Sequence, residues 1–288
     1  MQQVQDGQET GTLYVVATPI GNLEDMTYRA VRILGEVDLV AAEDTRHSRK
    51  LFARFGIRKP LVSYHDHNEQ QREDELKGRL LAGEDIALIS DAGTPCIADP
   101  GYRLIAACRA SGIPVVPVPG PSAVITALSA AGVSTERFAF EGYLPQKAKA
   151  RADLLRQLKG EQRTLVFYEA PHRLAATLDD LVEIMGPERP LVVARELTKL
   201  HEEFFCGTTA EAVARFQRSP AKGELVLLLP PGEHGPRMSV SAALRQLLAD
   251  GELSRREAVK IVAREYGLSS SDVYRESLGL GEEEEDND

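Results

Sequence analysis

The chain has 288 residues, 43% of them apolar, with three cysteines and a formal net charge of −10. That length holds two domains with full cores, no run nears the ~20 apolar residues of a membrane span, and Cys96, Cys108 and Cys206 form neither a disulfide framework nor a CxxC zinc pattern. Six acidic side chains crowd into 282–288, leaving −4 without them, and charge distribution rather than the total decides what a groove attracts.

Residues 1–11 are polar, lack an apolar or arginine-rich targeting pattern, and read as a disordered tail of a cytoplasmic protein. From there strands alternate with helices. Apolar runs at Leu13–Ala17, Leu39–Ala42, Leu61–Ser63, Ile86–Ile89 and Val115–Val118 are predicted strands. Helical periodicity falls between them at Met26–Leu34, Arg46–Phe55, Glu69–Leu81 and Tyr102–Ala110. This alternation predicts an α/β domain over 12–118 with a mostly parallel sheet. Pro117-Val118-Pro119-Gly120-Pro121 is the strongest break in the chain and marks an interdomain linker.

A second α/β domain is expected over 119–232. It starts with the small-residue helix Ser122–Ala131 and has strands at Phe138–Tyr143, Thr164–Tyr168, Leu191–Ala194, Glu203–Phe205 and Glu224–Leu229. Helices are expected at Ala148–Leu158, Arg173–Ile184 and Ala210–Arg215; adjacent strands without a helix between them predict a mixed sheet. Residues 233–281 read as a small helix-turn-helix-like unit with helices at Ser241–Ala249, from the capping box Ser254–Glu257 to about Glu265, and at Ser270–Leu278. Such a unit is expected to pack on the body of the protein. The acidic run 282–288 reads as disordered.

Three Gly/Pro-rich loops leave strands in the first half: Thr18-Pro19-Ile20-Gly21-Asn22, Ser90-Asp91-Ala92-Gly93-Thr94-Pro95 and Pro119-Gly120-Pro121-Ser122-Ala123. Loops at the carboxyl ends of open α/β sheets bind ligands. Their glycines admit a ligand to the main chain, and their prolines limit the entropy lost on binding. None matches GxGxxG or GxxxxGK[ST], so neither a standard dinucleotide fold nor a P-loop is supported. Asp91 is the side-chain candidate there, for a ribose hydroxyl or an amino group, with an Asx-turn as the structural alternative.

Glu43 and Asp44 close a strand, and Arg46, Arg49, Lys50 and Arg54 follow at i, i+3, i+4 and i+8, a helical stripe suited to phosphates or simply to solvent. His65 and His67 flank Asp66 without further ligands at metal-binding spacing, so no metal is expected. Glu169, Arg173, Arg195, Glu196 and Lys199 stand at later strand exits, placed for chemistry or for structural ion pairs. Further cations open a helix at Lys147, Lys149 and Arg151, and form an i, i+4, i+8 stripe at Arg256, Lys260 and Arg264. These groups suit an RNA-contacting surface, with a solvated face as the equal alternative for the stripe at 46–54. DNA reading is not favoured, because Ser270–Leu278 offers one cation, Arg275.

Six motifs in order resemble the 16S rRNA cytidine 2′-O-methyltransferases of the tetrapyrrole methylase superfamily. They are Ala-Thr-Pro-Ile-Gly-Asn-Leu (17–23), Ala-Glu-Asp-Thr-Arg (42–46), Ser-Asp-Ala-Gly-Thr-Pro (90–95), Pro-Gly-Pro-Ser-Ala (119–123), Tyr-Glu-Ala-Pro-His-Arg (168–173) and Arg-Glu-Leu-Thr-Lys (195–199). The resemblance spans about Gly11 to Leu280; Ala98 departs from it, where a small polar residue is usual. It implies two α/β domains with S-adenosylmethionine in the cleft between them, in a homodimer. Cofactor contacts are implied at Pro19, Gly21, Asp91, Gly93, Ser122, Ala123, Tyr168, Ala194 and Leu225. The implied substrate is a cytidine ribose in the decoding region of the assembled small subunit. The general base is left among Glu43, Asp44, His65, Glu196 and Lys199, and RNA contacts among Arg46, Arg49, Lys50, Lys147, Lys149, Arg256, Lys260 and Arg264. A small-molecule, tetrapyrrole-like methylase and a non-catalytic ribosome assembly factor are the alternatives.

Overall fold

A computed structural model describes residues 10–231, 239–249, 253–266 and 268–279. Residues 1–9, the C-terminal acidic run, residues 232–238 and the predicted helix stop at Gly267 lie outside those residues, as does the Arg264 side chain. The end of the expected disordered tail is corrected: Gly11 is buried and its N–H donates to the Leu80 carbonyl at 2.8 Å, which ties it to the body of the chain. The described residues up to 231 form one compact unit and those from 239 onward a second.

The first sheet contains β1 (Leu13–Val16), β2 (Leu39–Ala42), β3 (Leu61–Ser63), β4 (Ile86–Ile89) and β5 (Val115–Val118) in the order β3-β2-β4-β1-β5, with every pairing parallel. Between the strands lie α1 (Tyr28–Glu36), α2 (Thr45–Phe55), α3 (Glu69–Leu81) and α4 (Tyr102–Ala110). Successive strand residues point to opposite faces. Ala87 and Ile89 of β4 join the core under α1 and α2 with Leu34 and Phe52. Ile86 and Leu88 join the opposite core under α3 and α4 with Leu76, Leu80 and Leu104. This two-sided burial is why the strands read as unbroken apolar runs.

The strand order also places the site. The crossovers from β1 and β2 run toward the β3 edge, whereas that from β4 runs toward β5. The exit of β4 therefore lies between loops that turn the other way, and such a reversal opens a crevice at the carboxyl ends of the strands.

Residues 119–122 lead into α5 (Ala123–Ala130) and the second sheet. That sheet has β6 (Phe138–Tyr143), β7 (Thr164–Glu169), β8 (Pro190–Arg195), β9 (Glu203–Thr208) and β10 (Leu225–Leu229), ordered β6-β7-β10-β8-β9. Only β6 and β7 pair in parallel, so the sheet is mixed. One face packs on α6 (Ala148–Leu158), α7 (Leu174–Met185) and α8 (Thr209–Arg218) through Leu155, Leu178 and Phe216. A capping box starts α8, with Thr208 and Glu211 satisfying each other's backbone N–H.

The other face packs on Val124, Ala127 and Leu128 of α5. Ile20, from the loop after β1, joins the same cluster. An apolar side chain of the first sheet's loop is thus buried against the second sheet, which fixes how the two sheets meet.

The C-terminal unit contains α9 (Val240–Ala249), α10 (Arg255–Tyr266) and α11 (Ser270–Gly279). Leu244, Ala258, Val259, Val262 and Val273 form its own small core. The Ser254–Glu257 capping box is present: the Glu257 carboxylate accepts from Ser254 N–H at 2.9 Å.

Candidate active site

The three strand-exit loops converge. Thr18 and Gly93 exchange backbone hydrogen bonds of 2.8 and 3.0 Å, which stitch the first loop to the second. Thr94 donates its hydroxyl to the Pro121 carbonyl at 3.0 Å, which ties the second loop to the third. Gly93 has φ of +83°, and a β-carbon there would meet Ile20 Cγ2 at 3.2 Å, so both conformation and space favour glycine.

Asp91 bridges two loops rather than forming a local turn. Its Oδ1 accepts from the Asp44 N–H at 3.0 Å, while Glu43 Oε2 lies 3.4 Å from the Asp91 N–H. The exits of β2 and β4 therefore hold each other in place.

Two neighbouring cavities open along these loops. The first, about 220 Å³, is lined by Glu43, Asp91, Gly93, Asp99, Ser122, Ala123, Tyr143, Tyr168, Glu224 and Leu225 among others. Among the described residues, no lysine or arginine lines it. The second, about 490 Å³, is lined by Pro19, Gly21, Leu23, His47, Lys50, Leu51 and Lys199 among others. Ile20, Asp91, Ala92 and Glu224 line both and form a shared wall.

Electrostatics differ between the two. Burial, reinforced by the charge of Glu43, pushes Asp99 up to about 6. Burial likewise raises Glu43 above the ordinary carboxylate range, partly offset by the Asp91 N–H. Tyr168 is pushed up to about 12 by burial and stays a hydrogen-bond donor at neutral pH. Its ring meets Tyr143 edge-on, with centroids 5.6 Å apart, making an aromatic wall.

In the second cavity, Lys199 Nζ donates to Glu196 Oε1 at 2.8 Å and to Glu224 Oε2 at 3.0 Å. Burial works against its charge, but the two carboxylates outweigh it, so its proton is held more tightly than in an ordinary lysine. The Lys199 hydrogen bond holds Glu196 below its usual range.

Backbone strain marks the same loops. Among the described residues, the non-glycine residues with positive φ are Cys96 (71°), Ala98 (66°), Glu196 (52°) and Thr198 (66°). Each costs on the order of 1–3 kcal/mol and persists only where the surroundings enforce it. All four lie in the two loops that carry Asp99 and Lys199.

The cofactor positions implied at Asp91, Gly93, Ser122, Ala123, Tyr168 and Leu225 meet in the first cavity. Pro19 and Gly21 line the second instead. Ala194 lines neither; it is fully buried beneath α5. Of the base candidates, Glu43 borders the first cavity and Lys199 the second. Asp44 caps α2 and grips Arg46 Nη2 at 2.7 Å, which holds its carboxyl well below the usual range. His65 lines neither cavity; its backbone N–H donates to Asn68 Oδ1 in a turn.

The basic stripe on α2 divides. Lys50 reaches the second cavity, Arg49 borders a separate hollow near Ile57 and Pro60, and Arg46 engages Asp44. Lys147 and Lys149 are exposed, as are Arg256 and Lys260. Arg151 is buried against Asp180 at 2.6 Å and is structural. Glu169 and Arg173 pair at 3.3 Å, whereas Arg195 pairs with Glu203 rather than Glu196. Asp99, Tyr143, His47 and Glu224 line the cavities without being singled out from sequence. A raised proton affinity beside a strained loop is what distinguishes Asp99, and it arises only in the fold.

No group of three or more His, Cys, Asp or Glu among the described residues could hold a metal ion. No helix among them is long and apolar enough to cross a membrane.

A parallel sheet joined to a mixed sheet, with a ligand-sized cleft at the loops between them, defines a class. The sequence profile of the tetrapyrrole (corrin/porphyrin) methylases matches residues 12–213, and the chain belongs to that family. The family's methyl donor is S-adenosylmethionine. Within it, the chain is similar to the ribosomal RNA small subunit methyltransferase I of Synechocystis sp., at 51% identity over 94% of this chain and 98% of that protein. It is 48% identical to the protein of that name from Pseudomonas aeruginosa, over 93% and 97%, and 46% identical to that from Escherichia coli O157:H7, over 96% and 99%. Among solved structures it shares its fold with uroporphyrin-III-C-methyltransferase from Thermus thermophilus (TM-score 0.55, 23% identity, 76% of this chain and 94% of that one). It also shares it with a diphthine synthase (TM-score 0.60, 12% identity, 76% and 89%).

The first cavity fits the family's donor by its chemistry. Four carboxylates with no lysine or arginine among the described lining residues suit a ligand carrying sulfonium and ammonium charges, and the tyrosine wall suits a planar base.

Proposed function

We propose that the chain methylates a cytidine ribose 2′-oxygen of 16S rRNA in the assembled small ribosomal subunit, in its decoding region. The observation that carries this reading is near-full-length similarity to small-subunit rRNA methyltransferases, combined with an anionic cavity beside a cation-edged one. The working form is a homodimer in the cytoplasm, where the free cysteines Cys96, Cys108 and Cys206 stay reduced.

S-adenosylmethionine, when bound, supplies a methyl group already activated on a sulfonium. Asp91, Gly93, Ser122, Ala123, Tyr168 and Leu225 would hold it. The remaining task for the protein is to orient the acceptor hydroxyl, exclude water and take its proton. Glu43 is the proposed proton acceptor: it borders the cavity, and burial raises its proton affinity. Asp44 and Glu196 hold protons too weakly to compete, and Lys199 is protonated in the resting site. Lys199 serves instead as a hydrogen-bond donor. A base contributes roughly 10²–10⁴-fold. The exposed cations Lys50, Lys147, Lys149, Arg256 and Lys260 are the proposed phosphate contacts.

The test is transfer of labelled methyl to small subunits lacking their native methylations, with free 16S rRNA in parallel and the modified position mapped. Label in one cytidine ribose of the assembled subunit is the expected result. Absence of label with donor bound would overturn the reading.

A further inference from the structure

The two cavities share a wall but differ in the side chains beside it. Besides that wall, the first cavity adds the carboxylates of Glu43 and Asp99, whereas the second adds Lys50, His47 and Lys199. The second also has an apolar surface from Ile20, Leu23 and Leu51. We infer that this second cavity seats one nucleotide of the RNA, phosphate against Lys50 and His47 and sugar toward the wall of Ile20, Asp91 and Glu224. The inference rests on the proposed RNA methylation and deepens it by naming the acceptor's seat.

Three observations support this assignment. At about 490 Å³ the cavity lies within the size range of small-ligand sites, so it takes a single nucleotide rather than a duplex. A base must therefore leave its stack to enter, which costs least in a single-stranded or irregular region. His47 and Lys50 sit at i and i+3 on α2 and share a side of the helix, apart from Arg49. Lys199 is fixed by Glu196 and Glu224 on a backbone strained at Glu196 and Thr198, so its ammonium is held in place before any ligand arrives. A cationic donor on one side and an anionic acceptor on the other then meet at one wall, and neither competes for the other's seat.

The test has two independent readouts. Small subunits lacking their native methylations and carrying 4-thiouridine in their rRNA are crosslinked to the full-length protein and the adducts are mapped by mass spectrometry. Adducts in the peptides holding Leu23, His47–Leu51 or Lys199 are expected; adducts confined elsewhere overturn the inference. Separately, Leu23→Trp fills the cavity from a half-exposed position. It should leave donor affinity within twofold by calorimetry and lower methylation of small subunits at least 100-fold, while Lys50→Ala raises KM about 10-fold with kcat held. Normal methylation by Leu23→Trp sinks the inference while the proposed function stands. Crosslinks in the cavity without methylation by the wild type do the reverse.

Discussion

Lys199 lies directly over Gly21. A β-carbon on Gly21 would stand 2.5 Å from Lys199 Cγ and 2.9 Å from Thr198 Oγ1. The glycine after β1 is therefore needed for the approach of another loop, from the far side of the cleft. Gly21→Ala should push Lys199 off Glu196 and Glu224 and lower kcat by about 10–100-fold, since a displacement near 1 Å at a reacting group can cost that much. Donor affinity, read by calorimetry, should hold, because Gly21 does not line the first cavity.

Glu43→Gln removes the proposed proton acceptor while keeping its shape. A fall in kcat of roughly 10²–10⁴-fold is expected, with the acidic limb of the pH–rate profile lost. A variant that retains this limb would move the role to another carboxylate.

Asp99 gives the proposed donor site a pH dependence. Its folded proton affinity, about 6, exceeds that of a free aspartate, about 3.9. Stability contributed by that proton is fully present below the unfolded value and is lost as pH rises through about 6. Over the same window the cavity gains a negative charge, so S-adenosylmethionine should bind more tightly at pH 7.5 than at pH 5. Asp99→Asn should flatten this difference and raise the melting temperature of the ligand-free chain at pH 7.5 by about 2 °C. Calorimetry and thermal melts across that range give both readings.

Arg151 separates a structural cation from an RNA contact. Its side chain is 7% exposed and meets Asp180 at 2.6 Å. Arg151→Ala leaves a carboxylate without its partner and should cost about 3 kcal/mol of stability. The folded fraction should bind small subunits as before. A clear loss of subunit affinity at unchanged stability would reverse the assignment.

The pair Arg256 and Lys260 tests the C-terminal unit. Both are exposed on α10. Their joint replacement by alanine should weaken subunit binding and flatten its salt dependence, because each lost phosphate contact removes about one unit of slope. Donor affinity should not change. An unaltered salt slope would exclude this stripe from the RNA surface.

Sequence by itself determined the elements and the loops. The apolar runs at Ile86–Ile89 and Leu225–Leu229 are buried on both faces, and their shortness between Gly- and Pro-rich breaks favours a strand over a helix. The three strand-exit loops were legible because Gly and Pro act locally through backbone angles. Partners distant in sequence were not legible. Arg151 reads like its neighbours Lys147 and Lys149, yet it is buried on Asp180, 29 positions away. The α2 cations share one helical stripe but divide among a cavity, a hollow and a local carboxylate. The resemblance implies donor contacts at Pro19 and Gly21, and both line the second cavity. The tertiary structure decided these cases because charge pairing, desolvation and cavity lining depend on distances between elements that periodicity does not encode. The shift of Asp99 is such a case: it exists only once β4's exit loop has buried it beside Glu43.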